Sequence, residues 1–164
     1  PDPVMIFEHM LLYKMKGDVP EESYRVPIGK AHIAREGRDV TVVATSIMVH
    51  KSLEAAETLA AEGIAVVVIY LLRLRHIYCS TLFESVNKTS RLACVYEGVK
   101  TLGIGAEISA RIAESEAFDY LDAPILRLGG AESPIPYNPE LEKAAVPQVP
   151  GIIEGLRNLV RGRM

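Results

Sequence analysis

Residues 40–69 read VTVVATSIMVHKSLEAAETLAAEGIAVVVI. The run Val40–Thr45 is β-branched and apolar, as a strand requires. Ser46 stands where a helix cap is wanted, before a helix predicted over Met48–Ala61. In that helix Val49, Leu53, Ala56 and Ala60 recur at i, i+4, i+7 and i+11. Gly63 follows in the position that favours a left-handed residue. The next run, Ile64–Ile69, is apolar at every position. A strand that hides both faces belongs inside a parallel sheet.

The pattern repeats outward. A helix is predicted over about Ser80–Asn87, a strand over Arg91–Gly98 and a helix over GIGAEISARIAESEA (103–117). A strand over Ala123–Gly130 and a last helix with Ile152, Ile153, Leu156, Leu159 and Val160 on its inner face complete it. Upstream, Val4–Phe7 reads as a short strand and Gly17–Gly29 as an irregular connector rich in Pro, Gly and Glu. Ala31–Arg35 and Val40–Thr45 read as a hairpin turning at Glu36–Asp39. Residues 132–150 read as a Pro-rich connecting segment. The expected fold is a three-layer α/β domain. It has a mainly parallel sheet of about five strands, one antiparallel edge strand and helices on both faces. Residues 1–29 form the N-terminal strand and connector, and residues 30–164 the domain. The chain opens PDPVMIFEH without Met, which reads as the interior of a longer polypeptide.

Composition narrows the function. Apolar residues are 49%, charged residues 24%, and the net charge is −3, so no nucleic-acid or anionic-membrane partner is called for. No apolar run reaches the roughly 20 residues of a membrane helix. Cys79 and Cys94 have no CxxC spacing and no nearby His pair, and read as reduced thiols of a cytoplasmic protein. His9, His32, His50 and His76 show no metal-ligand spacing. The turn GVKTLGIGAE (98–107) is neither a dinucleotide fingerprint nor a P-loop. There Gly103 and Gly105 read as allowing close backbone packing.

Several stretches together carry a resemblance: IFEH…LY near the start, VPIGKA (26–31), VTVVATSIMVHKSLEAAE (40–57), YEGVKTLGIGAEISARIAE (96–114), LDAPILRLGG (121–130) and PIPYNPELEKAAVPQV (134–149). In this order they resemble the C-terminal transketolase-like domain of the E1 β subunit of 2-oxo acid dehydrogenase complexes, of the pyruvate and branched-chain kinds. The resemblance implies a parent enzyme using thiamine diphosphate and magnesium. Those cofactors bind between the α subunit and the β subunit's N-terminal domain, and none binds in this chain. It implies an assembly role, with an E1 α subunit, a second β subunit and the E2 core as partners, and no catalysis by the chain alone.

One stretch departs from the family. After the strand, members read like V-I-D-L-R-T-L-x-P-L-D, whereas this chain has VIYLLRLRHIY (68–78). Tyr70 stands for the acid, Leu72 for the arginine, Arg73 for the threonine, His76 for the proline and Tyr78 for the final acid. Val67 also stands where a polar residue is usual. Such concentrated polar-to-apolar change reads as a surface adapted, by evolution or by design, to bind a protein partner or a second copy. Its expected members are Tyr70, Leu72, Arg73, Arg75, His76, Ile77 and Tyr78, with Leu71 and Leu74 as buried anchors. Aromatic, aliphatic and Arg side chains are the usual material of interface hot spots. The second reading is an E1 β component that acts only with its α subunit and an N-terminal domain.

Overall fold

A computed structural model describes residues 3, 5–26, 30–75 and 77–162. Five strands form one sheet: β1 (His32–Arg35), β2 (Val40–Ala44), β3 (Val66–Tyr70), β4 (Leu92–Val99) and β5 (Leu126–Gly130). Five α-helices accompany them: α1 (Ile47–Ala61), α2 (Cys79–Thr89), α3 (Ile104–Ala113), α4 (Pro139–Ala145) and α5 (Val149–Val160). The strand order is β1-β3-β2-β4-β5. Only the β1–β3 pair is antiparallel.

The order follows from burial. Every residue of β2 is buried, so this strand takes the centre, with parallel neighbours on both sides. The two faces separate by parity, as a pleated strand demands. Val40, Val42, Val66, Val68, Ala93 and Val95 pack under α1 and α5. Val43, Val67, Ile69, Leu92 and Cys94 pack under α2 and α3. Thr41 lies among the second set, wholly buried, and shares hydroxyl bonds with Ser85 (2.6 Å) and Thr89 (2.7 Å) of α2. A buried polar atom that is fully hydrogen-bonded costs little, and here it fixes how α2 sits on the sheet.

The expected hairpin does not form. β1 lies beside β3, with His32 opposite Tyr70 and Ile33 opposite Ile69. Both sides of β2 are already taken, and β1 is half exposed, which suits an edge. The Glu36–Asp39 turn crosses the start of β3 instead. There the Arg38 and Asp39 amides donate to the Ala65 carbonyl (3.0 and 2.9 Å). The Asp39 carboxylate accepts from the Ala65 amide (2.6 Å). A Cβ on Gly37 would lie 2.4 Å from the Val66 carbonyl carbon, so only glycine lets the turn approach this closely.

Two further expectations change. Met5–Phe7 is not a strand, and Val4 lies outside the described residues; the backbone instead makes a short 3-10 helix at Met10–Lys14 with no buried residue. The Pro-rich connector contains α4, which Asn138 caps by accepting from the amides of Glu140 (2.9 Å) and Leu141 (3.3 Å). Asn-Pro-Glu is a helix-start signal. Ser46 does occupy the residue before α1, but its side chain caps nothing and its φ is +53°. Gly63 follows α1 with φ +82°, as expected.

Candidate functional site

The junction between β3 and α2 has two roles built into it. Tyr70 ends β3 half-buried against the α1 side of the sheet. Leu71 turns to the other side, is buried, and donates its amide to the Ala44 carbonyl (3.1 Å). Ile77, only 6% exposed, joins it in the core under α2. Between these anchors the chain bulges outward. Leu72, Arg73, Leu74 and Arg75 are all exposed, Leu74 to 54%. Tyr78 precedes α2 and is 46% exposed.

Two assignments therefore change places. Ile77 was expected on the surface and Leu74 in the core. The chain must cross from the end of β3 to the start of α2, and on that path Ile77, two residues before the helix, reaches the core under α2 while Tyr78 stays out. His76 lies outside the described residues. Leu72, Leu74 and Tyr78, with Arg73 and Arg75 beside them in sequence, remain as the exposed group. Neither arginine has a carboxylate partner within 4.0 Å among the described residues.

Cys79 opens α2, half-buried, with the Arg111 guanidinium donating to its sulfur at 3.6 Å. Cys94 is buried in β4, and desolvation pushes its thiol up to about 12, against the pull of Arg127. Both cysteines are free.

The turn before α3 was read as close packing, and it is. A Cβ on Gly105 would meet the Tyr96 ring at 2.5 Å, and one on Gly103 would meet the Val99 carbonyl at 2.2 Å. The Tyr96 side chain fills the space under the helix start. Among the described residues its hydroxyl is buried without a hydrogen-bond partner, and burial pushes the phenol up while Arg127 opposes. The Thr101 amide is taken by the Glu132 carboxylate (2.9 Å), which that contact holds below the usual carboxylate range.

This arrangement is a test for thiamine diphosphate. A diphosphate needs free amides and space at a glycine-rich turn. Here the Glu132 carboxylate holds the Thr101 amide and the Tyr96 ring packs against Gly103 and Gly105, so this turn is a poor fit for a diphosphate. Among the described residues, no three His, Cys, Asp or Glu side chains gather to hold a metal ion.

Two polar ties went unread in the sequence because they join distant segments. His9 Nδ1 accepts from the Leu11 amide (3.2 Å), so in the neutral ring Nε2 carries the proton and donates to Glu97 (3.2 Å) at the end of β4. Lys51 of α1 donates to the Pro147 carbonyl (2.9 Å) and the Gln148 side chain (3.2 Å). Desolvation lowers the Lys51 pKa, and the nearby Glu97 charge partly restores it.

The sheet order, the β2-centred core and the glycine turn at α3 define a C-terminal α/β module of the transketolase type, and the chain belongs to that family. The family model described as Transketolase, C-terminal domain, matches residues 29–152. Over nearly its whole length the chain is homologous to β subunits of the pyruvate dehydrogenase E1 component. It is 46% identical to the mitochondrial protein of Dictyostelium discoideum over 164 residues, 98% of this chain and 46% of that one. It is 48% identical to the mitochondrial β-1 subunit of Arabidopsis thaliana over 157 residues, 93% of this chain and 43% of that one. The chain thus spans about half the length of the curated relatives it matches. Among solved structures, a split-gene transketolase described as an inactive β4 tetramer superposes with a TM-score of 0.74 at 25% identity. The match covers 90% of this chain and 47% of that one. Among the described residues no helix is long and apolar enough to cross a membrane.

Proposed function

We propose that this chain is the C-terminal, assembly-forming part of an E1 β subunit of a pyruvate dehydrogenase type. It contributes to a thiamine-diphosphate-dependent oxidoreductase only together with an α subunit and an N-terminal β domain. Residues 30–164 form the α/β module and the preceding residues the connector leading to it. The single observation supporting this reading is the 46% identity that runs through all but the ends of the chain. The crowded glycine turn agrees with a cofactor site elsewhere. The role proposed is association with the α subunit, a second β subunit and the E2 core. Two free thiols suit a reducing compartment, the cytoplasm or the mitochondrial matrix.

Titration calorimetry with thiamine diphosphate and magnesium tests this reading. The chain alone binds neither, and it turns over a 2-oxo acid only after the α subunit and the N-terminal domain are supplied. Micromolar cofactor binding by the chain alone would sink it.

A second reading concerns the exposed Leu72, Leu74 and Tyr78 with Arg73 and Arg75, which we propose as one protein-binding surface. Apolar side chains that share a small area with arginines can anchor a partner. Leu72→Arg with Tyr78→Asp restores the residue types that family members carry. Tyr70 is left alone because it packs against the core. The double variant keeps its melting temperature, and binding to α subunit or E2 core falls at least about tenfold, or about 1.4 kcal/mol. Unchanged binding to both places the interface elsewhere.

A further inference from the structure

The exposed surface between β3 and α2 lies at a positive end of an acidic chain. The net charge is −3, yet residues 63–83 contain no Asp or Glu. β2 and β3 are parallel, so α1 and α2 both start at this end of the sheet, and neither has an acidic residue in its first turn. The amino ends of the two helices add their positive dipole ends. β1 runs antiparallel to β3 with His32 opposite Tyr70, so Lys30, exposed and two residues ahead of His32, enters at the same end. Lys30, Arg73 and Arg75 have no carboxylate partner within 4.0 Å among the described residues. Glu97 also lies at this end, but on β4, two strands from β3, where His9 holds it.

Apolar side chains are interleaved with these charges. Leu72, Leu74 and Tyr78 are exposed, while Leu71 and Ile77 are buried and fasten the segment at both ends. Among the described residues, residues 72–75 make no main-chain hydrogen bond to other main chain, which leaves their amides and carbonyls to water or to a partner. A purely apolar partner would desolvate three cations without pairing them, which is costly. A purely anionic one would leave the leucines uncovered. An anionic membrane would meet the net charge of −3 of the whole chain. A short peptide feels only the local field, because screening acts within about 10 Å at 0.1 M salt.

We propose that this end of the sheet takes a short segment of a partner protein that is both acidic and apolar. Its carboxylates are set against Lys30, Arg73 and Arg75, and its apolar side chains against Leu72, Leu74 and Tyr78. The inference rests on the protein-binding surface proposed above and adds the chemistry of what binds there. Charge sets which partner is accepted and how fast it arrives, and the leucines and tyrosine hold it.

The test uses the whole chain and three labelled peptides, made of glutamate with leucine, glutamate with serine, and lysine with leucine, read by fluorescence anisotropy. The glutamate–leucine peptide is expected to bind with a Kd of about 100 μM or tighter, and the other two at least about tenfold more weakly. Arg73→Glu with Arg75→Glu should lose the glutamate–leucine peptide at least about tenfold and gain the lysine–leucine peptide, an exchange that unfolding cannot mimic. If that variant does not fold, Lys30→Glu with Arg75→Glu is read in the same way. No binding of the glutamate–leucine peptide at about 1 mM overturns the proposal. So do equal binding of all three peptides, a reversal without exchange, or binding to phosphatidylserine vesicles in place of the peptide. The Leu72→Arg, Tyr78→Asp variant separates this inference from the surface it rests on. Weakened binding of that variant to α subunit or E2 core, without peptide exchange in the arginine variant, keeps the surface and sinks the acidic partner. Unchanged binding without exchange sinks both.

Discussion

Val66–Ile69 and Met5–Phe7 are both short apolar runs, and they end in opposite environments. Every side chain of the first is buried, while Phe7 of the second is 88% exposed. Hydrophobicity does not separate them. The first run has strands on both sides to satisfy its backbone amides and carbonyls. Among the described residues the second has no strand partner, and an unpaired backbone is costly to bury. An apolar run therefore enters a core only where hydrogen-bond partners exist for its main chain. The junction at 70–78 shows the same rule in miniature. Leu71, bonded to Ala44, goes in, and Leu72 and Leu74 stay out.

The contrast between core and surface can be broken at Ile77. Asp at this position would place a charge in the core under α2, and the chain is expected to lose its cooperative melt. Leu74→Asp, three residues earlier, leaves the melt within about 0.5 kcal/mol of wild type. Equal effects would show the two side chains to be equivalent after all. Next in size is Leu156→Ala in α5, wholly buried, with an expected cost of about 2–5 kcal/mol by denaturant titration. Gly37→Ala follows, at about 1–3 kcal/mol, because the added methyl group meets backbone that cannot move aside.

A smaller effect depends on pH. Arg157 donates two bonds to the Glu62 carboxylate, one of 2.8 Å, and holds its pKa below the ordinary value. A carboxylate with a depressed folded-state pKa stabilises fully above the unfolded value and loses that contribution as pH falls through the folded one. The difference in melting temperature between wild type and Glu62→Gln should therefore shrink as pH falls below about 4.3, and stay constant from pH 6 to 8. A difference growing towards acid would reverse the sign and refute the assignment. The smallest effect is chemical. A thiol reagent should modify the half-buried Cys79 readily, and Cys94 only on unfolding, because only the thiolate reacts and Cys94 is buried and held neutral. Equal rates would mean that β4 opens as easily as the helix end.

The five strands of the sheet, the inner face of α5 and the family were legible in the amino-acid sequence. They are written in short-range periodicity and local turn chemistry, as in Ile152, Leu156 and Leu159 of α5, or Gly63 after α1. The close packing at Gly103 and Gly105 was legible too, since glycine at a strand-to-helix turn has few other uses. The exposure of Leu72, Arg73 and Tyr78 was also readable, because the family pattern carries polar residues at those positions. Other features depended on the tertiary structure. The neighbour of β1 was settled by which edge remained open once β2 had two parallel partners. The exchange of Leu74 and Ile77 was settled by the path from the edge of β3 to the start of α2. The ties of His9 to Glu97 and of Lys51 to Gln148 join positions about 90 residues apart. Periodicity describes one segment at a time, whereas strand order, loop path and distant contacts are decided by competition among segments for the same buried space and the same backbone partners.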